Sequence, residues 1–186
     1  MKNVLILLIC SFLINCGEVK KIEKKVPEIT IPDSLKGKTL EGENILVGKI
    51  SLAQLKHFSS WYNKEYDFYK VDPALIEEIK PLLKDVSITL IMGTWCEDSE
   101  REVGGMIKIL ETAGYPIDSI NLIAVSEDKD TPNGIEKAFN LAYVPTLIFN
   151  KNDEELNRIV EFPIVSLEQD IFTILKGAPY KNAYAE

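Results

Sequence analysis

Histidine and cysteine are scarce in this chain of 186 residues, which has one histidine, His57, and three cysteines. Zinc sites use several such side chains, so we expect neither a metal site nor a cofactor. Basic residues are also few, since 21 lysines and arginines stand against 29 aspartates and glutamates and the net charge is −8. An acidic chain without a basic cluster repels phosphate backbones, so we expect no nucleic-acid partner. His57 has no neighbouring motif that indicates a catalytic role.

Long hydrophobic runs are missing too. The apolar stretch over residues 4–14 follows a short basic start and suits a signal-peptide core, but it is too short to span a bilayer. It leads to Cys16-Gly17 in a pattern that resembles a bacterial lipoprotein signal, in which the cysteine is lipidated. We expect a lipoprotein signal peptide over residues 1–16 and a tether over residues 17–27; an ordinary signal peptide or an uncleaved anchor is the alternative. The prediction is a bacterial cell-envelope protein, lipid-anchored at Cys16 and facing the periplasm.

The cysteine count then becomes informative. Cys10 lies inside the expected signal core, and Cys16 is expected to carry the lipid. Cys96 is left as the one thiol of the mature protein, which therefore cannot form an internal disulfide. Such a thiol is either kept for reaction or buried as a small hydrophobic side chain.

The apolar pattern predicts one α/β domain over residues 71–178. Asp72 and Pro73 mark the start of a helix, as a capping residue and a first-turn proline. Further helices are predicted over residues 97–112, 134–140 and 165–176, and strands over residues 86–92, 120–125, 146–149 and 156–162. This order predicts a mixed central sheet between helices, which is a three-layer α/β/α sandwich.

Residues 28–70 are predicted to form an N-terminal extension packed on this domain, with short strands over residues 29–31 and 44–50. Residues 51–69 carry many aromatic side chains, which we interpret as core packing, with a binding face as the alternative. Residues 179–186 are predicted to be a C-terminal tail, and the protein is expected to be a monomer. The aromatic residues of the extension are Phe58, Trp61, Tyr62, Tyr66, Phe68 and Tyr69.

The chemistry is indicated by two short stretches. Trp95-Cys96-Glu97-Asp98-Ser99 follows a predicted buried strand and opens a predicted helix, where backbone N–H groups and the helix dipole favour a thiolate. Val144-Pro145-Thr146 precedes another strand. Together they resemble the thioredoxin-like superfamily over roughly residues 73–176, and more closely exported lipoproteins of Bacteroidetes-type bacteria with a Trp-Cys-x-Asp-Ser-x-Arg-Glu-Val stretch.

The resemblance implies a nucleophile at Cys96 and a cis Pro145 packed beside it. It further implies that Trp95, Val144, Pro145 and Thr146 contact the substrate, since the backbone before that proline pairs with bound substrate in this superfamily. In the active-site helix, Arg101 is expected to favour the thiolate, while Glu97 and Asp98 oppose it.

Several positions depart from the thioredoxin pattern. Ser99 replaces the second, resolving cysteine, Leu90 stands where many thioredoxins have a buried carboxylate, and no lysine occupies the strand position near it. Gly104 stands where a helix-kinking proline is frequent, and the pair Gly104-Gly105 is expected to weaken the helix by about 1 kcal/mol per glycine. Ser99 is expected to donate a hydrogen bond to the sulfur but not to resolve a disulfide.

These departures favour monothiol exchange: Cys96 forms a mixed disulfide with a protein or small-molecule thiol or disulfide, and an external thiol resolves it. The alternative is a non-catalytic thioredoxin-like module that binds proteins or peptides. A glutathione or iron–sulfur site, as in monothiol glutaredoxins, is a weaker alternative, because Glu97 and Asp98 repel both ligands.

Overall fold

The computed structural model describes residues 28–185. The signal peptide predicted over residues 1–16 and the tether predicted over residues 17–27 lie outside this range, as does Glu186. This range forms five α-helices and seven β-strands. The helices are α1 (Leu52–Phe58), α2 (Ser60–Phe68), α3 (Pro73–Ile79), α4 (Glu97–Thr112) and α5 (Leu167–Leu175). The strands are β1 (Lys36–Lys38), β2 (Asn44–Leu46), β3 (Gly48–Lys49), β4 (Val86–Met92), β5 (Asn121–Ala124), β6 (Thr146–Lys151) and β7 (Glu154–Val160).

The central sheet has the strand order β3-β5-β4-β6-β7. Strands β4 and β5 are parallel, and β6 and β7 form an antiparallel hairpin whose first strand pairs antiparallel with β4. The edge strand β3 runs antiparallel to β5, and β1 and β2 form a separate hairpin. The predicted mixed sheet is therefore confirmed, with the parallel pair and the hairpin where the sequence placed them.

The two faces of the sheet are covered differently. Ile88, Leu90 and Met92 of β4 lie in the main core with buried residues of all five α-helices. Ile91 points to the other face, where a smaller cluster is closed by a short 3-10 helix over Ile135–Phe139. Alternate residues of a strand face opposite sides, so the run of apolar residues from Leu90 to Met92 reflects burial on both faces. The third layer of the sandwich is thus a five-residue 3-10 helix, shorter than the predicted helix over residues 134–140.

Local sequence signals explain where the elements begin. The Asp72 carboxylate accepts hydrogen bonds from the backbone of Ala74 at 2.9 Å and Leu75 at 3.4 Å, which caps α3 as predicted. Ser166 caps α5 by accepting from the backbone of Gln169 at 3.1 Å, so this helix begins at Leu167 and not at the predicted residue 165.

The predicted strands of the extension differ from those observed. Residues 29–31 form no strand, and Ile29 is exposed. The predicted strand over residues 44–50 is divided between two sheets, because Gly48 has a φ of 97° and turns the chain from β2 into β3. The sequence pattern did not reveal this break, because the two halves are separated by their pairing with different strands, β2 with β1 and β3 with β5.

The aromatic residues of the extension mostly serve packing. Tyr62 is fully buried, and Phe58, Trp61, Tyr66 and Tyr69 pack partly buried against the main core. Phe68 is the exception, being exposed at the end of α2. The alternative of a binding face around Trp61 is therefore not favoured. Within residues 28–185, no helix is both long and apolar enough to cross a membrane.

Candidate functional site

Cys96 occupies the N-terminal end of α4, directly after the turn that leaves the central strand β4. Its backbone N–H donates to the carbonyl of Gly93 at 3.2 Å, and its own carbonyl accepts from Glu100 at 2.9 Å as the first helical hydrogen bond. Its extended backbone makes it the capping residue, but its side chain takes no part in the cap. Cys96 is half-buried and is the free cysteine of the described residues.

The thiol of Cys96 faces the loop that precedes β6. Its Sγ donates to the carbonyl oxygen of Val144 at 3.4 Å. Val144 and Pro145 are buried, and the peptide bond between them is cis, as the resemblance implied. Thr146 is also buried and donates from Oγ1 to the carbonyl of Tyr143 at 2.7 Å, which closes this loop. The structure therefore brings together Cys96 and the predicted Val144-Pro145-Thr146 stretch.

Trp95 is held against the turn from both sides. Its Nε1 donates to the carbonyl of Val125 at 2.9 Å, at the end of the neighbouring strand. A Cβ atom on Gly93 would lie 2.7 Å from the indole ring, so only glycine fits there without moving the ring. Sequence reasoning missed Gly93, although a glycine directly after a buried strand was a usable signal. No role was predicted for Thr94, whose Oγ1 accepts from the backbone of Leu46 at 3.1 Å.

Ser99 lies beneath the turn and is fully buried. Its Oγ accepts a hydrogen bond from the backbone of Gly93 at 3.2 Å. The sequence had predicted a hydrogen bond from Ser99 to the sulfur of Cys96; the bond found here is to the backbone. Ser99 therefore supports the turn on which Trp95 and Cys96 are carried.

The charged residues around the thiol are mainly acidic. Arg101 donates to Asp98 at 2.6 Å and to Glu102 at 2.7 Å, so its guanidinium is engaged by carboxylates. The hydrogen bond to Glu102, reinforced by that to Asp98, raises the pKa of Arg101. Partial burial, with the nearby charges of Glu97 and Glu65, raises the pKa of Glu100. That Arg101 favours the thiolate stays a prediction, because its guanidinium contacts Asp98 and Glu102.

Comparison with known proteins shows similarity at the level of the fold. No protein-family model and no curated protein matches the sequence. A protein of unknown function from Pseudomonas aeruginosa has 14% identity and a TM-score of 0.52, with 70% of this chain and 94% of that chain covered. An HIV epitope scaffold has 15% identity and a TM-score of 0.50 over the same shares. A thioredoxin from Halobacterium salinarum has 13% identity and a TM-score of 0.35, covering 60% of this chain and 89% of that chain.

Three features define the fold: the strand order β3-β5-β4-β6-β7, the parallel pair β4–β5 and the antiparallel hairpin β6–β7. The chain has a thioredoxin-like α/β fold. Leu90 of β4 is fully buried in the main core. Many thioredoxins carry a buried carboxylate at this position, which here is apolar. Among residues 28–185, no group of three or more histidine, cysteine, aspartate or glutamate side chains is placed to hold a metal ion.

Tyr143, which directly precedes Val144, belongs to an aromatic cluster that also contains Phe162 and Tyr184. Tyr184 stacks on Tyr143 with ring centroids 4.0 Å apart, and Phe162 meets Tyr184 edge-on at 6.4 Å. The hydroxyl of Tyr184 donates a short hydrogen bond to Glu161, which raises the pKa of Tyr184 to about 12. The backbone of Glu161 donates to the carbonyl of Pro145 at 2.8 Å. The cluster is therefore attached directly to the loop that faces Cys96.

Sequence reasoning did not find the aromatic cluster. Its three members come from the loop before β6, the loop after β7 and the C-terminal segment, which are distant in the chain. The C-terminal segment is also fixed by Tyr180, whose hydroxyl donates to Asp170 at 2.9 Å and whose carbonyl accepts from Asn157 at 3.1 Å. The proximity of Tyr143 to Pro145 in the sequence was the one available signal.

Proposed function

We propose that this protein acts in thiol–disulfide exchange through Cys96 alone. The observation that carries this proposal is the placement of Cys96, half-buried at the start of a 16-residue helix with its Sγ 3.4 Å from the carbonyl of Val144. Backbone N–H groups and the helix dipole favour a thiolate at such a position. Val144 lies on the loop that faces the Cys96 sulfur. A bound polypeptide would pack against this loop when its own sulfur reaches Cys96.

The reaction would take place in two exchanges. The Cys96 thiolate attacks one sulfur of a substrate disulfide; the Cys96–substrate S–S bond forms, the original S–S bond breaks, and the second substrate sulfur leaves as a thiolate. An external thiol, or a second thiol of the substrate, then attacks the mixed disulfide and returns Cys96 as thiolate. No net oxidation or reduction of the protein results when both exchanges are complete.

The monothiol character is supported by the surroundings of Cys96. Ser99 occupies the position that the second cysteine has in a dithiol thioredoxin site. Its Oγ accepts a hydrogen bond from the backbone N–H of Gly93. A hydroxyl does not displace a thiolate from a disulfide, so the mixed disulfide on Cys96 is resolved only when a thiol from outside the protein attacks it. This favours isomerisation or exchange with small thiols over the reduction carried out by a dithiol site.

Intact-mass measurement of the full chain with bis(2-hydroxyethyl) disulfide, an uncharged probe, tests the proposal. We expect an adduct of half the probe on Cys96, reversed by added thiol, and no adduct at position 96 in the Cys96→Ser variant. Peptide mapping assigns the adduct to Cys96. Failure of the folded protein to form it at mildly alkaline pH, with excess probe, contradicts the proposed chemistry.

We also propose that the domain is carried on the bacterial cell envelope, facing the periplasm, by a lipid on Cys16. The support is the sequence alone: a short apolar core followed by Cys16-Gly17. Expression in a bacterium fed a labelled fatty acid should label the wild-type protein but not Cys16→Ala, and should leave the wild type in the membrane fraction. Equal labelling of both would contradict the proposal.

A non-catalytic binding module is the second candidate. Two observations favour it: Leu90 is fully buried in an apolar core, and Ser99 is committed to the backbone of Gly93, so the site has neither a proton-transfer carboxylate nor a resolving thiol. If this candidate is correct, partners captured from the cell envelope are retained equally by wild type and Cys96→Ser under non-reducing conditions. Loss of the partners in Cys96→Ser favours exchange chemistry.

A further inference from the structure

We infer that the aromatic cluster and the carboxylates beside it form a docking surface for a polypeptide with basic and apolar side chains around its reactive cysteine. The inference rests on the proposed function, because it names the class of substrate that Cys96 would meet. It also excludes small anionic disulfides as preferred substrates.

The aromatic cluster lies where a substrate of Cys96 has to pass. Tyr143 directly precedes Val144, whose carbonyl is 3.4 Å from the Cys96 sulfur. Tyr184 stacks on Tyr143, and its partner Glu161 is hydrogen-bonded through its backbone to Pro145 at 2.8 Å. A polypeptide whose sulfur reaches Cys96 along this loop therefore contacts these rings within a residue or two of its cysteine.

The surface is apolar and open to solvent. Tyr143, Phe162 and Tyr184 have exposed fractions of 39%, 41% and 44%, although large aromatic side chains are usually covered. Ile164 and Val165, which follow Phe162 in the same loop, are exposed to 51% and 74%. The loop itself is fixed, since their backbone N–H groups donate to the buried Asp170 at 2.6 and 3.2 Å. A fixed, exposed apolar surface of this kind is typical of an interaction site.

The charge at the edge of this surface is negative. Residues 97–102 contain four carboxylates and one guanidinium, and that guanidinium is engaged by Asp98 and Glu102. The pKa of Tyr184 is raised first by its hydrogen bond to Glu161, and the charge of Asp98 contributes as well, so Asp98 lies near the cluster. Glu97, in the first turn after Cys96, is exposed. Carboxylates therefore border the aromatic rings on the side of the thiol and on the side of Glu161.

Aromatic faces edged by carboxylates select cations. Lysine and arginine side chains gain both from the nearby carboxylates and from contact with tyrosine and phenylalanine rings. An anionic disulfide such as oxidised glutathione meets like charge at the same place. The complementary occupant is therefore a polypeptide in which basic and apolar residues flank the cysteine.

Equilibrium binding tests the inference separately from the chemistry. The full chain carrying Cys96→Ser is titrated with two labelled peptides in which serine replaces the reactive cysteine. Both place phenylalanine next to the serine; one has two lysines around it and the other has two glutamates. We expect the lysine peptide to bind at least about tenfold more tightly at low salt, with the difference falling at high salt.

Two double variants identify the charges responsible. Glu97→Gln with Asp98→Asn removes an adjacent acidic pair beside the thiol. Asp153→Asn with Glu154→Gln removes a matched pair from the β6–β7 turn, at the end of β6 opposite to Thr146. We expect the first variant to lose most of the preference for lysine and the second to keep it. Tyr184→Ala should weaken the binding of both peptides several-fold.

The outcomes separate the two proposals. Equal affinity for the two peptides, tighter binding of the glutamate peptide, an unchanged preference after removal of Glu97 and Asp98, or no binding of either peptide would overturn the inference. If the uncharged disulfide still forms its adduct with Cys96 in that case, the exchange chemistry stands and the substrate class is wrong. A clear lysine preference without any adduct supports the docking surface and contradicts the exchange chemistry.

Discussion

At the scale of single residues, the position of the thiol depends on what surrounds the turn between β4 and α4. Trp95 packs over Gly93 and donates to Val125, while Ser99 accepts from the backbone of Gly93 beneath it. These contacts fix both sides of the turn over residues 93–96. Cys96 is therefore presented by a rigid support, although its own side chain makes a single hydrogen bond of 3.4 Å.

Gly93→Ala should destabilise the protein through Trp95. The added Cβ would lie 2.7 Å from the indole ring, and we expect the free energy of unfolding to fall by about 1–3 kcal/mol. Urea denaturation of the full chain measures the change. In a Trp95→Ala background the same substitution should cost much less, because the clash is gone. An equal cost in both backgrounds would contradict this origin of the effect.

Ser99→Cys should convert the monothiol site into a dithiol site. Residues three apart on a helix are neighbours, at a separation that a disulfide spans. We expect the variant to lose both thiols together on mild oxidation, and its adduct with bis(2-hydroxyethyl) disulfide to decay without added thiol. Thiol titration and intact mass measure this. An adduct as long-lived as that of the wild type would show that position 99 does not reach the sulfur.

At the scale of elements, the crossing of α2 and α4 explains the glycine pair. The sequence predicted a weakened helix, yet α4 runs unbroken from Glu97 to Thr112. A Cβ on Gly104 would lie 2.7 Å from the backbone nitrogen of Tyr66, and one on Gly105 would lie 2.6 Å from the Tyr69 ring. The two glycines therefore let α2 of the extension approach α4 closely, and the cost to helix propensity is offset by this packing.

Gly104→Ala should lower stability although alanine is the better helix former. Helix propensity alone would add about 1 kcal/mol, but the clash with the α2 backbone costs more, and we expect a net loss of about 1–2 kcal/mol. Thr112→Ala, at an exposed position of the same helix, is the control and should be neutral or slightly stabilising. Urea denaturation compares the two. A gain in stability from Gly104→Ala would rule out the close crossing.

At the scale of the whole molecule, several tyrosines tie separate segments together with the phenol in its neutral form. Burial, and then a hydrogen bond to Glu111, raises the pKa of Tyr66 to about 12. Burial also raises the pKa of Tyr62, and burial with a hydrogen bond to a carboxylate raises those of Tyr69 and Tyr180. Tyr69, directly after α2, donates a hydrogen bond to Glu168, and Tyr180 donates one to Asp170. These hydrogen bonds link the end of α2 and the C-terminal segment to α5.

These raised pKa values predict a loss of stability at alkaline pH. Unfolded tyrosines ionise near pH 10, before the folded ones do, so the stabilisation is complete below about pH 10 and is lost as the pH rises through the higher folded values. The free energy of unfolding, measured from about pH 8 to about pH 11, should fall at the upper end. Tyr69→Phe should reduce the slope of the fall, because it removes a phenol whose pKa burial and the hydrogen bond to Glu168 raise. An equal slope for Tyr69→Phe would contradict this cause.

Much of the fold was predictable because its signals are local. The apolar run of residues 86–92 and the helical period of residues 97–112 match β4 and α4 residue by residue. The division of residues 44–50 at Gly48 was not predictable, since it depends on which strand each half pairs with. Of the site, the types of residue were predictable, but the aromatic cluster was not, because packing brings its three rings together from distant parts of the chain.

By itself, the sequence determined that one cysteine of this chain opens a helix after a buried strand, that serine follows it three residues later, and that acidic residues surround it. These properties are local, because helix starts, strand burial and charge are specified by neighbouring residues. The tertiary structure alone decided that the sulfur meets the Val144 carbonyl and that Tyr184 of the C-terminal segment stacks beside it. Such contacts join residues far apart in the chain, and they are set by strand order and by packing between layers, which no local pattern encodes.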